Sequence, residues 1–140
     1  MAKLSPEAQA LLGTRGLGEL AEKMGIELIE LSAEHAVATM PVEGNRQPLG
    51  LLHGGAYVVL AETLGSIAAN VWAFPGKSAV GIEVNASHSG SARSGVVTAT
   101  CKAINLGRTL TTHEIAITDE AGKRLSTVRI TNFLKERAAQ

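Results

Sequence analysis

The chain has 140 residues and a mass of 14.5 kDa, which sets an expectation of one domain. Hydrophobic residues make up 45% and charged residues 19%, a balance that excludes an intrinsically disordered chain. Lys plus Arg and Asp plus Glu each number 13, so there is no overall electrostatic footprint for nucleic acid or an anionic membrane. The aromatics Tyr57, Trp72, Phe74 and Phe133 are too few for a base-stacking platform.

The elements read in chain order as follows. Ser5-Pro6-Glu7 is a helix start, with a capping hydroxyl, a proline suited to the first position and a carboxylate at the positive end. A short helix over Pro6–Leu12 should break at Gly13 and Gly16, and a second piece over Leu17–Lys23 should end near Gly25. Residues 1–24 are thus expected to be an N-terminal helical segment of a single domain spanning 1–140. Ile26–Leu31 and His35–Val42 read as strands around a tight turn at Ser32–Glu34. Gly54 to Trp72 is apolar on nearly every face, which places a helix about 28 Å long at the centre of the molecule.

Pro75-Gly76 ends that helix, and alternation follows. Val80, Ile82, Val84 and Ala86 are expected on one side of a strand, and Val97, Ala99, Cys101 and Ala103 on one side of the next. Thr109–Thr118 and Leu125–Phe133 continue the series around the turn Asp119–Gly122. Short connections imply an antiparallel meander. The fold class is therefore α+β, a sheet wrapped around a long central helix.

Cellular context follows from what the chain uses. Cys101 is the one cysteine, so no intrachain disulfide can form. Residues 1–12 lack the apolar core of a signal peptide, and Glu62 inside the most hydrophobic stretch argues against a membrane span. A cytoplasmic protein without membrane or nucleic-acid partners is expected.

Glu62 dominates the chemistry. It is the one formally charged side chain between Arg46 and Lys77, and it sits inside the most apolar helix, where no solvent face is evident. A lone buried carboxylate is costly unless partnered or protonated. Ser66 lies one turn on and Gly55 nearly two turns back on the same side, a narrow stripe fit to line a cleft. His53-Gly54-Gly55 opens the helix with uncovered N–H groups at a positive terminus, able to hold a polarised carbonyl oxygen. Gln47 is a neutral group able to orient a bound molecule.

Geometry adds a constraint. Glu62 is eight residues beyond Gly54, about 12 Å along the axis, too far for one side chain to bridge. If both act on one atom, Glu62 comes from a second subunit, with the two helices antiparallel across a two-fold.

Other patterns give nothing. There is no G-x-S-x-G elbow. Gly16-Leu17-Gly18-Glu19-Leu20-Ala21 has glycines in a dinucleotide-loop arrangement, but no strand precedes it. His35, His53, His88 and His113 show no zinc spacing. Cys101, in an alternating strand, reads as a small core residue.

The run Gln47-Pro48-Leu49-Gly50-Leu51-Leu52-His53-Gly54-Gly55, followed by Glu62 and Ser66, resembles the hotdog-fold acyl-CoA thioesterases. Within them it is similar to the phenylacetate-pathway and Arthrobacter-type 4-hydroxybenzoyl-CoA branch. Related members hydrolyse 1,4-dihydroxy-2-naphthoyl-CoA. The similarity runs from Gly25 to Leu134 and includes Gly81-Ile82-Glu83-Val84-Asn85-Ala86 and Leu106-Gly107.

The resemblance implies a hotdog fold paired into dimers, usually dimers of dimers. It implies Glu62 as nucleophile or general base, with the Gly54 N–H polarising the thioester carbonyl. Gln47 and His53 would position the thioester, and Ser66 would orient water or carboxylate. Gly81, the loop His88, Ser89, Gly90 and Ser91, and the turn Asn105, Leu106, Gly107, Arg108, Thr109 and Leu110 would hold the CoA moiety. Leu49, beside the acyl pocket, stands where relatives often carry Phe. The expected activity is hydrolysis of an aryl- or medium-chain acyl-CoA in a site shared between subunits. No metal or cofactor is expected, because coenzyme A enters with the substrate. Two other hotdog readings stand beside it: a non-catalytic acyl-CoA or acyl-carrier-protein binder, and an enoyl-thioester hydratase.

Overall fold

A computed structural model describes residues 2–13 and 15–137; Met1, Thr14 and residues 138–140 of the expected domain lie outside the described residues. Strand β1 (Lys3–Leu4) leads into helix α1 (Pro6–Leu12) and helix α2 (Glu19–Met24). Strands β2 (Glu27–Leu31) and β3 (His35–Pro41) precede the long helix α3 (Gly54–Ala73). Strands β4 (Lys77–His88), β5 (Val96–Leu106), β6 (Leu110–Thr118) and β7 (Arg124–Glu136) complete the chain. They form one seven-stranded sheet in the order β1-β2-β3-β5-β6-β7-β4, curved around α3 as the sequence leads one to expect.

The local signals work as chemistry demands. The Ser5 hydroxyl accepts the Ala8 N–H at 3.1 Å, and Pro6 occupies the first turn of α1. Gly25 ends α2 with φ of 76°, a left-handed conformation that favours glycine. The buried side of α3 carries Leu60, Ala61, Leu64 and Ala68 into a core with Met40, Val97, Ile115 and Ile130. Helix and sheet approach most closely at Gly65, where an added Cβ would fall 2.5 Å from Ile130 Cγ2. By length and composition α3 could cross a membrane, but 56% of its most apolar window is buried inside the molecule, the setting of a core helix.

Two expectations need correction. The last four strands are not one meander: β5, β6 and β7 are, but β4 crosses to the far edge and pairs with β7. Nor do Val80, Ile82, Val84 and Ala86 share one side. The register shifts between Gly81 and Glu83, leaving Ile82 as the extra residue. Val80 therefore faces out opposite exposed Phe133, while Val84 turns inward opposite buried Ile130. This outer edge strand leaves Val80 and Ile82 open to solvent, Ile82 at 58%.

Candidate active site

The approach to α3 is built from the loop after β3. Asn45 Nδ2 donates to the carbonyls of Met24 and Pro41, each at 2.8 Å, and the Asn45 carbonyl accepts the His53 N–H at 2.9 Å. Leu52 donates to Ala92 O. These bonds fix His53 as the N-cap of α3, in extended backbone with φ −62° and ψ 133°. Its Nδ1 accepts the Gly55 N–H at 2.8 Å. The Gly54 N–H is left without a protein acceptor among the described residues. No acidic residue sits in the first turn, so the positive helix end is uncompensated.

Gln47 folds on itself: its Oε1 accepts the Leu49 N–H, and its backbone bridges Leu51 and Gly50. The side-chain oxygen is thereby committed locally, leaving the amide nitrogen as the group to meet a ligand. Leu49 stands at the loop tip, 77% exposed.

Glu62 corrects the sequence reading. It is exposed, because α3 has an open face that carries Gly55, Val59, Glu62, Thr63, Ser66, Ile67 and Asn70, all exposed or half-buried. The small and neutral residues on that face hid it from a hydropathy argument. From Val59 onward the face lines a cavity of about 570 Å³, closed on its other side by Arg15, Gly16, Leu17, Gly18 and Leu20. Among the described residues Glu62 is the one carboxylate lining it and Arg15 the one cation; Arg15 reaches Asn70 Oδ1 at 3.5 Å. Ser66 lies beside Glu62 as the spacing required.

The residues attributed to CoA fall in three places. Gly81 sits beneath the catalytic candidate: a Cβ there would lie 3.2 Å from Glu62 Oε2. His88 lies at the far end of β4, its ring against Gly54, where an added Cβ would meet its Cδ2 and Nε2 at 3.1 Å. Ser126 Oγ is 2.8 Å from His88 Nδ1, and the Tyr57 ring is 5.0 Å from its centroid. Ser89 and Gly90 donate to Leu125 O, and Gly90 O accepts from Tyr57 at 3.3 Å. Ser91 continues this exposed loop.

The turn from Asn105 to Leu110 lies at the opposite end of α3. Trp72 Nε1 donates to Gly107 O at 2.8 Å and Lys77 Nζ to Arg108 O at 2.9 Å. A cavity of about 370 Å³ opens there between Trp72, Lys77 and Arg108; Thr109 and Leu110 are exposed beside it. Within one chain, then, the His88 loop and the Asn105–Leu110 turn are separated by the contour length of β4, about 36 Å for eleven residue steps.

Three groups escaped the sequence reading. Arg15 had no motif around it. The contact of His88 with Gly54 is a tertiary fact with no local signature. Asn132 did leave a trace: it is a polar residue, fully buried like Ser126, in the inward row Ser126, Val128, Ile130, Asn132, Leu134 on β7. Cys101 is a core residue as expected, and burial pushes its thiol up to about 12.

Comparison with known proteins identifies the family. The family model described as "Thioesterase superfamily" matches residues 49–126. The proofreading thioesterase EntH of Cronobacter turicensis is 43% identical over 120 residues, covering 85% of this chain and 88% of that protein. The 1,4-dihydroxy-2-naphthoyl-CoA hydrolase of Escherichia coli is 40% identical, covering 88% and 91%. Among solved structures, a mutant thioesterase from Pseudomonas aeruginosa superposes with a TM-score of 0.82 at 37% identity, covering 94% and 93%. The chain belongs to the thioesterase superfamily and has its hotdog fold.

Proposed function

We propose that this thioesterase-family hydrolase cleaves an aryl- or medium-chain acyl-CoA to the free acid and CoA, with Glu62 as its reacting carboxylate. The observation that carries the reading is Glu62 itself, among the described residues the one carboxylate lining the cavity on the open face of α3. Leu17, Leu20, Val59 and Ile67 give the cavity an apolar body suited to an acyl group. The Gly54 N–H at the positive helix end is the matching donor for the carbonyl oxygen, whose charge grows as the tetrahedral intermediate forms. A thioester carbonyl is electrophilic, so polarisation, a carboxylate and a water suffice chemically.

As general base, Glu62 takes a proton from water while the water oxygen bonds to the carbonyl carbon. The oxyanion then collapses, the C–S bond breaks, and the thiolate leaves to be protonated. As nucleophile, Glu62 bonds to that carbon first, expels the thiolate, and the resulting anhydride is hydrolysed. A single turnover in heavy-oxygen water separates the routes, since label entering Glu62 requires the anhydride.

The same reading makes the working unit a homo-oligomer, a dimer or a dimer of dimers. Gly54 and Glu62 of one chain are too far apart to share an atom. Among the described residues the twelve-residue strand β4 is paired on one side only, and its outer edge, with Val80 and Ile82 exposed, is a natural template for a second strand. Antiparallel pairing of β4 with its copy sets His88 of one chain beside Lys77 of the other. That would reunite the halves of the CoA site and bring Glu62 toward the second chain's Gly54. A cytoplasmic setting suits a chain whose one thiol is buried and unpaired.

The test is thiol release from benzoyl-, hydroxyphenylacetyl-, dihydroxynaphthoyl- and straight-chain acyl-CoAs, beside Glu62→Gln. Release that falls at least about 100-fold in the variant supports the reading. Binding of acyl-CoA without release would favour a sensor instead.

A further inference from the structure

We infer that Asn132 is a positioning residue for the hydrolysis, setting the Ser66 hydroxyl as an acceptor beside Glu62. The inference rests on Glu62 being the reacting carboxylate. Asn132 is a full amide with no exposed surface, between Ile130 and Leu134 in the inward row of β7. Buried polar side chains are normally paired on every group. Among the described residues Asn132 makes one side-chain bond: its Oδ1 accepts the Ser66 hydroxyl at 3.3 Å, while its Nδ2 has no partner. The one side-chain partner it has is the hydroxyl beside Glu62, which links the buried amide to the reacting carboxylate.

The surroundings give that bond a direction. Asn132 pairs across the sheet with Gly81, where no side chain intervenes. A Cβ at Gly81 would lie 3.2 Å from Glu62 Oε2 and 3.7 Å from Asn132 Oδ1. Carboxylate and amide oxygen thus flank one small space left open by a glycine. Glu62 and Ser66 line the cavity, whereas Asn132 stays beneath them and does not. With its proton committed to Asn132, Ser66 Oγ presents lone pairs outward. A water that donates one hydrogen to Ser66 can aim the other at Glu62 and its oxygen at the carbonyl carbon. Asn132 touches neither substrate nor water; it acts through Ser66.

The experiment uses the acyl-CoA that the unmodified protein cleaves fastest, and a double-mutant cycle. Asn132→Val and Asn132→Ala both remove the orphaned amide and suit or tolerate a strand position, so two routes to a folded variant exist, checked by melting. Each should lower kcat about tenfold with KM within about twofold. Ser66→Ala should lose at least as much, and adding Asn132→Val to it should cost nothing further. Asn132→Thr, which keeps an oxygen where its isostere Val has a methyl, should recover part of the loss. Unchanged kcat in the folded variants overturns the inference. So does a loss that multiplies with that of Ser66→Ala, or one carried mainly by KM. Failure of the hydrolase reading looks different: the unmodified protein would release no thiol at all.

Discussion

Helix α3 has two faces that obey different rules. The closed face presses Leu60, Leu64 and Ala68 into the sheet, all essentially without exposed surface, and Gly65 lets the backbone approach Ile130. The open face carries Glu62, Thr63, Ser66 and Asn70 along a cavity. One face is chosen for shape and the other for chemistry. Fixing the first to the sheet pins the second in place, because both ride on one rigid rod.

That division is open to attack from either side. The largest effect should follow a cavity in the closed face: Leu64→Ala is expected to cost about 2–5 kcal/mol of stability. Measured on folded protein, its kcat should stay near normal. A large loss of stability from an open-face change such as Ser66→Ala would break the comparison.

Next comes the helix start, tested by Gly54→Pro. Proline removes the N–H while suiting the first helical position, and His53 already has the extended backbone that precedes proline well. The His88 ring must give way by a few tenths of an ångström. We expect kcat to fall by about 10²–10³, the scale of losing an oxyanion donor, with little change in melting temperature. A melting temperature that collapses instead would make Gly54 a residue of the frame.

The smallest effect concerns His113, a buried polar group with no part in the chemistry. Its Nε2 donates to Ala33 O at 2.8 Å and its Nδ1 has no partner among the described residues. Burial holds its pKa below the ordinary 6.5, against the opposing pull of the Ala33 carbonyl and Glu34. The unfolded chain therefore takes up the proton first. The stability contributed by neutral His113 is full above pH 6.5 and drains as pH falls below it, by at most about 1.4 kcal/mol per pH unit. Urea midpoints at pH 7.5 and 5.5 should differ less in His113→Leu than in the unmodified protein.

Legibility in the sequence followed how local each cause was. Helix α1 starts at Ser5-Pro6 and ends at Leu12 because capping is a matter of adjacent residues. The long helix was plain from its apolar length, and His53-Gly54-Gly55 from its place at the start. The bulge at Ile82 and the crossing of β4 to the sheet edge were not legible, since both depend on pairing between residues 38 or more positions apart. Glu62 was found for its charge, yet its exposure was misjudged. Gly55, Val59, Thr63, Ser66 and Ile67 look no different from core residues until the fold shows that it leaves them exposed or half-buried. Asn132 needed both kinds of information: alternation to place it inward, and the fold to bring it to Ser66.

The central claim is that one chain supplies Glu62 and another supplies Gly54 to each site. Two inactive proteins test it, Glu62→Gln and Gly54→Pro, dissociated, mixed in equal amounts and reassociated. With shared sites, half of the random dimers are mixed and each holds one intact site, so thiol release should return to about a quarter of the unmodified rate. If both groups of a site belong to one chain, no mixture contains an intact site, and a mixture as inactive as its parts would contradict the account.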